Sequence, residues 1–342
     1  MNSVPATPAA VQPGQFDIPG LRVGHVSLGD TGVTALVAAD NAGMTGAVDV
    51  RGGGPGTRET DLLNPHNTVQ RVHAVVLSGG SAFGLGAADG AMRELESRGR
   101  GFAVFGEDQP GPRVPIVPAA VIFDLIIGDP GHRPGAQDGA AAVQAALDDG
   151  GAPESGSVGA GCGATAGVLR GGVGTAQTTV AGENGAVHTV AALVVANPLG
   201  SVIDPETGRF FGDPSRPPVD LEQFSALERP APKLNTTIGV IATDCPLPQA
   251  QLERLAMTGH DGIARAVRPS HSPLDGDSLF AVSTASADAY SAVSPADADP
   301  DLYYTLCDAS ARCVEAAIVD GVAAASPGYD VAAWGDIATA AH

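Results

Sequence analysis

Apolar positions in the first eighty residues come in short runs of β type, cut by glycine and polar turns. Residues 21–26 and 32–39 read as a strand pair across a Gly-Asp turn, and 47–50 as a third short strand. Residues 74–77, Ala-Val-Val-Leu, make an apolar run of buried-strand length. A glycine turn follows, and the spacing predicts a helix over 82–97. Residues 117–127 are strongly apolar with Asp124 inside, 140–147 are helical, and 159–174 are glycine-rich. Two strands within 174–195 flank Glu183-Asn184-Gly185, an Asn-Gly hairpin signal.

The pattern lapses beyond residue 203. Residues 204–233 hold six prolines and no sustained periodicity, which predicts an exposed linker. An abrupt β run then begins at Thr236. Residues 248–267 are amphipathic, with Leu252, Leu255, Ala256 and Ile263 on one face. Residues 278–284 read as a strand. Residues 301–324 read as a second helix that buries Leu306, Val314, Ala317, Ile318 and Val322. Strands with flanking helices and hairpins predict one mixed α+β layered domain over 17–342. The Ala/Pro/Gln/Gly-rich residues 1–16 are expected to be a disordered tail.

Composition narrows the function. The 342 residues are 44% hydrophobic but only 4% aromatic, so the core must be built from Ala, Val, Leu and Ile. A net charge of -20 excludes nucleic acid and polybasic membrane contact, both of which need clustered Lys and Arg. Lys233 is the only lysine, which removes most lysine chemistry. The four cysteines, Cys162, Cys245, Cys307 and Cys313, have no CxxC spacing and read as buried free thiols in a reducing compartment. No secretory signal or membrane-length apolar stretch is present, so the expected location is cytoplasmic. The histidines form no metal-type doublet, and no metal or cofactor is expected. His271 alone stands near an acid pair, where a structural role is the commoner one.

Thr236 is the first chemical candidate. A hydroxyl is a weak nucleophile without a base beside it. If the Asn235–Thr236 bond is cut, the freed α-amine of Thr236 becomes that base, with a reference pKa of about 7.7–8.0. An ordinary β-branched strand residue is the bland alternative. Asp275 and Asp277, with Gly276 between, can converge on one ammonium; a plain Asx turn is the alternative. Asn197 ends a strand before Pro198 and offers an oxyanion donor, though capping is commoner there. The Ser81 loop fails the G-x-S-x-G pattern because Phe83 takes the last position. The Gly52–Gly56 loop lacks the lysine of a P-loop.

Taken together, these pieces resemble the self-processing aminopeptidases of the DmpA-like L-aminopeptidase/D-Ala-esterase/amidase group. That group includes β-aminopeptidases and the nylon-oligomer endo-hydrolase NylC. The resemblance rests on Arg51-Gly52-Gly53, residues 55–60, Gly79 to Leu85, Val117 to Asp124, Gly159-Ala160-Gly161, Asn197-Pro198, Asn235-Thr236-Thr237 and Asp275-Gly276-Asp277, in that order. The Asn-Thr-Thr and Asp-Gly-Asp forms are similar to the nylon-hydrolase branch.

The resemblance implies a four-layer αββα sandwich of the N-terminal-nucleophile type, like that of DmpA and ornithine acetyltransferase. It implies self-cleavage into a large subunit, 1–235, and a small one, 236–342, that stay associated and assemble into homo-oligomers, often tetramers. Thr236 matches the nucleophile, Asn197 the oxyanion-side asparagine, and Asp275 and Asp277 the acidic pair. The expected activity is hydrolysis of aminoacyl amides, small peptides or 6-aminohexanoate oligomers. Two positions depart from the pattern. Val168 stands where the nylon hydrolases have lysine, with Arg170 two residues on, and Phe123 replaces a tyrosine. These three are the candidate substrate-binding positions. The two departures motivate an alternative, an unprocessed homologue serving as a binding or assembly protein.

Overall fold

A computed structural model describes residues 7–183, 185–231, 234–290 and 294–339. Asn184 of the expected hairpin turn, Lys233 and His342 lie outside the described residues. The first strands are β1 (Gln12–Pro13), β2 (Leu21–Ser27), β3 (Gly32–Ala38), β4 (Met44–Val50), β5 (Thr57–Arg58), β6 (Arg71–Val72) and β7 (Ala74–Ser78). A small hairpin, β8 (Phe102–Ala103) and β9 (Arg113–Val114), precedes β10 (Ala119–Val121), β11 (Thr165–Ala166) and β12 (Leu169–Arg170). The long strands are β13 (Gly172–Ala181), β14 (Val187–Ala196), β15 (Ile238–Thr243) and β16 (Ser278–Ser283). The helices are α1 (Ala87–Ser97), α2 (Ala136–Asp148), α3 (Leu221–Ala226), α4 (Gln249–Ala266), α5 (Pro295–Ala298), α6 (Pro300–Ala323) and α7 (Trp334–Ile337).

Seven strands form one sheet in the order β1-β13-β14-β15-β16-β4-β6, and five form a second, β2-β3-β7-β10-β5. The period of two along β15 lets it serve two apolar layers. Ile238, Val240 and Ala242 join Leu36, Leu77, Ile122 and Phe280 between the sheets. Ile241 joins Leu255, Ile263, Val314 and Ile318 beneath α4 and α6. A third layer packs Val33, Ala35 and Val76 against Ala88, Leu95 and Val143 of α1 and α2. Three apolar layers therefore separate four layers of secondary structure, helix–sheet–sheet–helix. Small residues set the spacing in a chain poor in aromatics. An ideal Cβ on Gly174 of β13 would lie 1.9 Å from the Ala317 carbonyl oxygen of α6.

Two expectations need correction. Residues 7–16 are not a disordered tail. β1 pairs antiparallel with β13, the Ala9 and Gly14 N–H groups donate to Thr179 and Thr175, and Phe16 is buried. The edge of β13 supplies unpaired backbone groups that this segment satisfies. Residues 204–231 are not an exposed linker along their length. Phe210 and Val219 are 1% and 3% exposed, Phe210 stacks at 5.5 Å on Trp334, and Asp220 caps α3. Burial there uses isolated anchors instead of a repeating face. The helix expected over 82–97 begins as a 3₁₀ segment, Ser81–Gly86, and only Ala119–Val121 of the 117–127 run is a strand.

Candidate active site

Four adjacent strands of the larger sheet bring the candidate residues to one end. β14 runs into Asn197, where Pro198 has no N–H to continue the ladder. β15 and β16 run parallel, so Thr236 and Thr237, just before β15, lie beside Asp275 to Asp277, just before β16. Asn235 forms a parallel bridge with Asp275. β4 runs antiparallel to β16, so its continuation, residues 51–54, forms the outer flank. There the Arg51 and Gly54 N–H groups donate to the Asp277 and Asp275 carbonyls at 2.9 and 2.8 Å. Glycines 52 and 53 permit this contact, since an ideal Cβ on Gly52 would lie 2.3 Å from the Asp277 nitrogen. The loop is a backing for the acid segment, not a phosphate cradle.

Thr236 is 5% exposed and tightly held. Its N–H donates to the Asn197 carbonyl at 2.8 Å. Its hydroxyl donates at 2.5 Å to the carbonyl oxygen of Asn235, in the peptide group just before it. Gly276 makes room for it, because an ideal Cβ there would lie 2.8 Å from Thr236 Oγ1. Asn197 Oδ1 accepts from the Thr165 N–H at 2.8 Å, which can only donate and so fixes the amide orientation. The same oxygen accepts from Asn235 Nδ2 at 3.4 Å, and Asn197 Nδ2 donates to the Phe123 carbonyl at 3.2 Å. This amide therefore clamps the residue before Thr236, and its nitrogen is directed at Phe123.

The two carboxylates are buried and fixed separately. Asp275 accepts from the Leu199 N–H at 3.0 Å and from Ser272. Burial pushes its carboxyl above the usual range, against those hydrogen bonds. Asp277 accepts from the Thr237 N–H at 2.8 Å and from His271 Nδ1 at 2.8 Å. The pair thus holds the backbone at Leu199 and at Thr237, on either side of the Asn197–Thr236 contact.

The remaining candidates divide. Phe123 contributes through its main-chain carbonyl. Val168 sits half-buried in the β11–β12 turn, packed against the core beneath α4 and α6. Arg170 is 2% exposed, and its guanidinium donates to the Cys162 carbonyl and lies 5.7 Å from the Tyr329 ring. None of its hydrogen bonds reaches Thr236, Asn197, Asp275 or Asp277. A different cation approaches the turn: Arg229 Nη2 is 3.7 Å from where a Cβ on Gly167 would sit. Sequence reasoning missed Arg229 because it lies in the proline-rich stretch, and missed Thr165 because nothing marks it among the glycines of 159–174.

The family model of Peptidase family S58 matches residues 16–331. The chain belongs to that family. An uncharacterized aminopeptidase of Mycobacterium leprae is 48% identical over 297 residues, 80% of this chain and 79% of the relative. A 6-aminohexanoate-oligomer endohydrolase of Kocuria sp. is 32% identical over 286 residues, 79% of this chain and 74% of that one. The structure of the L-aminopeptidase D-Ala-esterase/amidase of Ochrobactrum anthropi, described as a variant of the Ntn hydrolase fold, aligns with a TM-score of 0.68. It has 23% identity, covering 93% of this chain and 89% of that one. The four-layer architecture is accordingly the N-terminal-nucleophile sandwich, and the S58 chain is a hydrolase of amide or peptide bonds.

Proposed function

We propose that this S58 chain is a precursor that cuts itself before Thr236 and then uses Thr236 as an N-terminal nucleophile. The observation that carries the reading is the buried Thr236 hydroxyl held against the Asn235 carbonyl. In self-cleavage, Oγ1 bonds to the Asn235 carbonyl carbon, the C–N bond breaks, and the hydroxyl proton passes to the departing nitrogen. That step frees the α-amine, and water then hydrolyses the ester to the Asn235 carboxylate and the Thr236 hydroxyl. In turnover the same hydroxyl bonds to a substrate carbonyl carbon as that amine takes its proton; the amine passes the proton to the leaving nitrogen as the substrate C–N bond breaks, and water hydrolyses the acyl ester. The Asn197 carbonyl orients the amine, the Asp277 carboxylate holds the next residue, and Asp275 fixes the Leu199 backbone beside them.

The two pieces would remain one body. β14 before the cut and β15 after it are hydrogen-bonded neighbours, and both contribute to the same apolar layers. Homo-oligomers of such heterodimers belong to the same reading. The substrates proposed are aminoacyl amides, short peptides and, by likeness to the Kocuria enzyme, 6-aminohexanoate oligomers.

Denaturing gels, intact mass and N-terminal sequencing test the cut. Two fragments, the smaller beginning at Thr236, are expected. The Thr236→Ala variant should stay a single 342-residue chain. A wild-type preparation that is uncleaved yet fully active would overturn the proposal.

A further inference from the structure

His271 lies beside the candidate site but carries none of the chemistry described so far. We propose that His271 is a positioning residue that works as an imidazolium, offsetting the charge of Asp277 so that the α-amine released at Thr236 can be the free base. The inference rests on the Thr236 reading.

The ring geometry assigns the protons. Nδ1 is 2.8 Å from Asp277 Oδ2, and Nε2 is 3.3 Å from the His260 carbonyl oxygen. Both neighbours are acceptors. A carbonyl oxygen carries no hydrogen, so Nε2 must bring one to make that bond. Asp277 is 2% exposed and already receives the Thr237 N–H and the His271 N–H as a carboxylate. A second proton on Nδ1 completes the set: with Asp277 a carboxylate, the doubly protonated ring satisfies every contact.

The neighbouring His260 shows the opposite pattern. Its Nε2 lies 3.0 Å from the Asp49 carbonyl, which assigns its proton there. Its buried Nδ1 has no partner among the described residues. Burial pushes His260 down to about 4, so it is neutral at pH 7. The two rings meet edge-to-face at 4.9 Å, one charged and one not. Burial alone would lower His271 as well, but its bonds to Asp277 and to the His260 carbonyl outweigh that and raise it. The other charged groups facing the pair are Arg51 and Asp49, themselves paired at 2.7 Å, and Asp275 in the same loop, which interacts with Arg229.

The consequence is electrostatic. The Asp277 carboxylate binds the Thr237 N–H, one residue from the released amine, whereas Asp275 interacts with the Arg229 guanidinium. Left uncompensated, the Asp277 carboxylate would hold an α-ammonium in its charged form, which cannot accept the Thr236 proton. An imidazolium on Asp277 cancels that charge.

Two measurements on the processed protein test this. In ¹⁵N-histidine NMR, the resonances lost in the His271→Gln variant should show both ring nitrogens protonated at pH 7. The acid limb of kcat/KM should move up by about one pH unit in His271→Gln, and a cation restored as His271→Lys should bring it back. A ring neutral at pH 7, or a rate loss equal at every pH, would overturn the proposal. If His271→Gln does not fold, the wild-type resonance that titrates with the Asp277 bond decides alone. Failure of the Thr236 reading is seen separately, as an uncleaved wild-type chain on the gel.

Discussion

Gly276→Ala isolates the contact on which the proposed self-cleavage depends. Gly276 does not have a positive φ, so alanine adds no backbone strain and the effect is purely one of space. The added Cβ would lie 2.7 Å from the Gly54 carbonyl oxygen, 2.8 Å from Thr236 Oγ1 and 3.0 Å from the Pro55 Cα. Gly54 and Pro55 belong to the backing loop, held by the Gly54 N–H bond to the Asp275 carbonyl, and cannot retreat easily. The hydroxyl is the softest of the three neighbours. Overpacking of this kind costs about 1–3 kcal/mol. A displacement of the attacking atom approaching 1 Å costs about 100-fold in rate. Self-cleavage should therefore slow by about that factor while the fold persists. The assay is a time course of newly synthesised chain on a denaturing gel, with Thr236→Ala as the zero-rate control. Gly335→Ala, which would meet nothing within 4 Å, is the neutral control. Cleavage of Gly276→Ala at the wild-type rate would refute the argument that Gly276 holds space for the hydroxyl.

Burial raises Asp124 to about 6, although Thr31 and the Gly80 N–H bond its carboxylate. A carboxyl raised on folding adds stability that is fully present below its unfolded value near 4 and is lost as pH rises through about 6. Asp124→Asn should thus gain stability over wild type above pH 6, by up to about 3 kcal/mol, and show no gain below pH 4 in denaturant titrations. Arg170 Nε and Nη1 are buried with no partner, and no ion pair holds this guanidinium among the described residues. Arg170→Met should leave KM unchanged and the melting temperature within a few degrees of wild type. A tenfold rise in KM with the fold retained would restore Arg170 to the substrate site.

The central elements of the fold were legible because each repeats its own period. β15 alternates between two cores, and the apolar faces expected on α4 and α6 are all buried. Elements that depend on distant partners were not legible. β1 is a strand only because β13 offers it an edge, and neither Gln12 nor Pro13 favours strand on its own. Phe210 and Val219 anchor the proline-rich stretch without any repeat, so no window could register them. The candidate site follows the same division. Thr236, Asn197, Asp275 and Asp277 could be picked out by residue type and order. Thr165, Ser272 and the proton count on His271 arise only once β15, β16 and the end of β14 are in register.

The way these contacts are made also bears on the departures at 123 and 168. Much of what surrounds the Asn235–Thr236 bond is main chain: the Asn197 carbonyl, the Phe123 carbonyl, the Leu274 carbonyl that accepts from Asn235, and the Thr237 N–H. Phe123 takes part through an atom every residue possesses, so exchanging tyrosine for phenylalanine leaves its bond to Asn197 intact. Val168 stands in a turn held by the Gly167 N–H to the Pro198 carbonyl at 3.1 Å, again a backbone bond. On the Thr236 reading, the phenol and the ammonium are therefore dispensable for self-cleavage. Arg229, placed beside Gly167, brings a cation to this turn from another part of the chain.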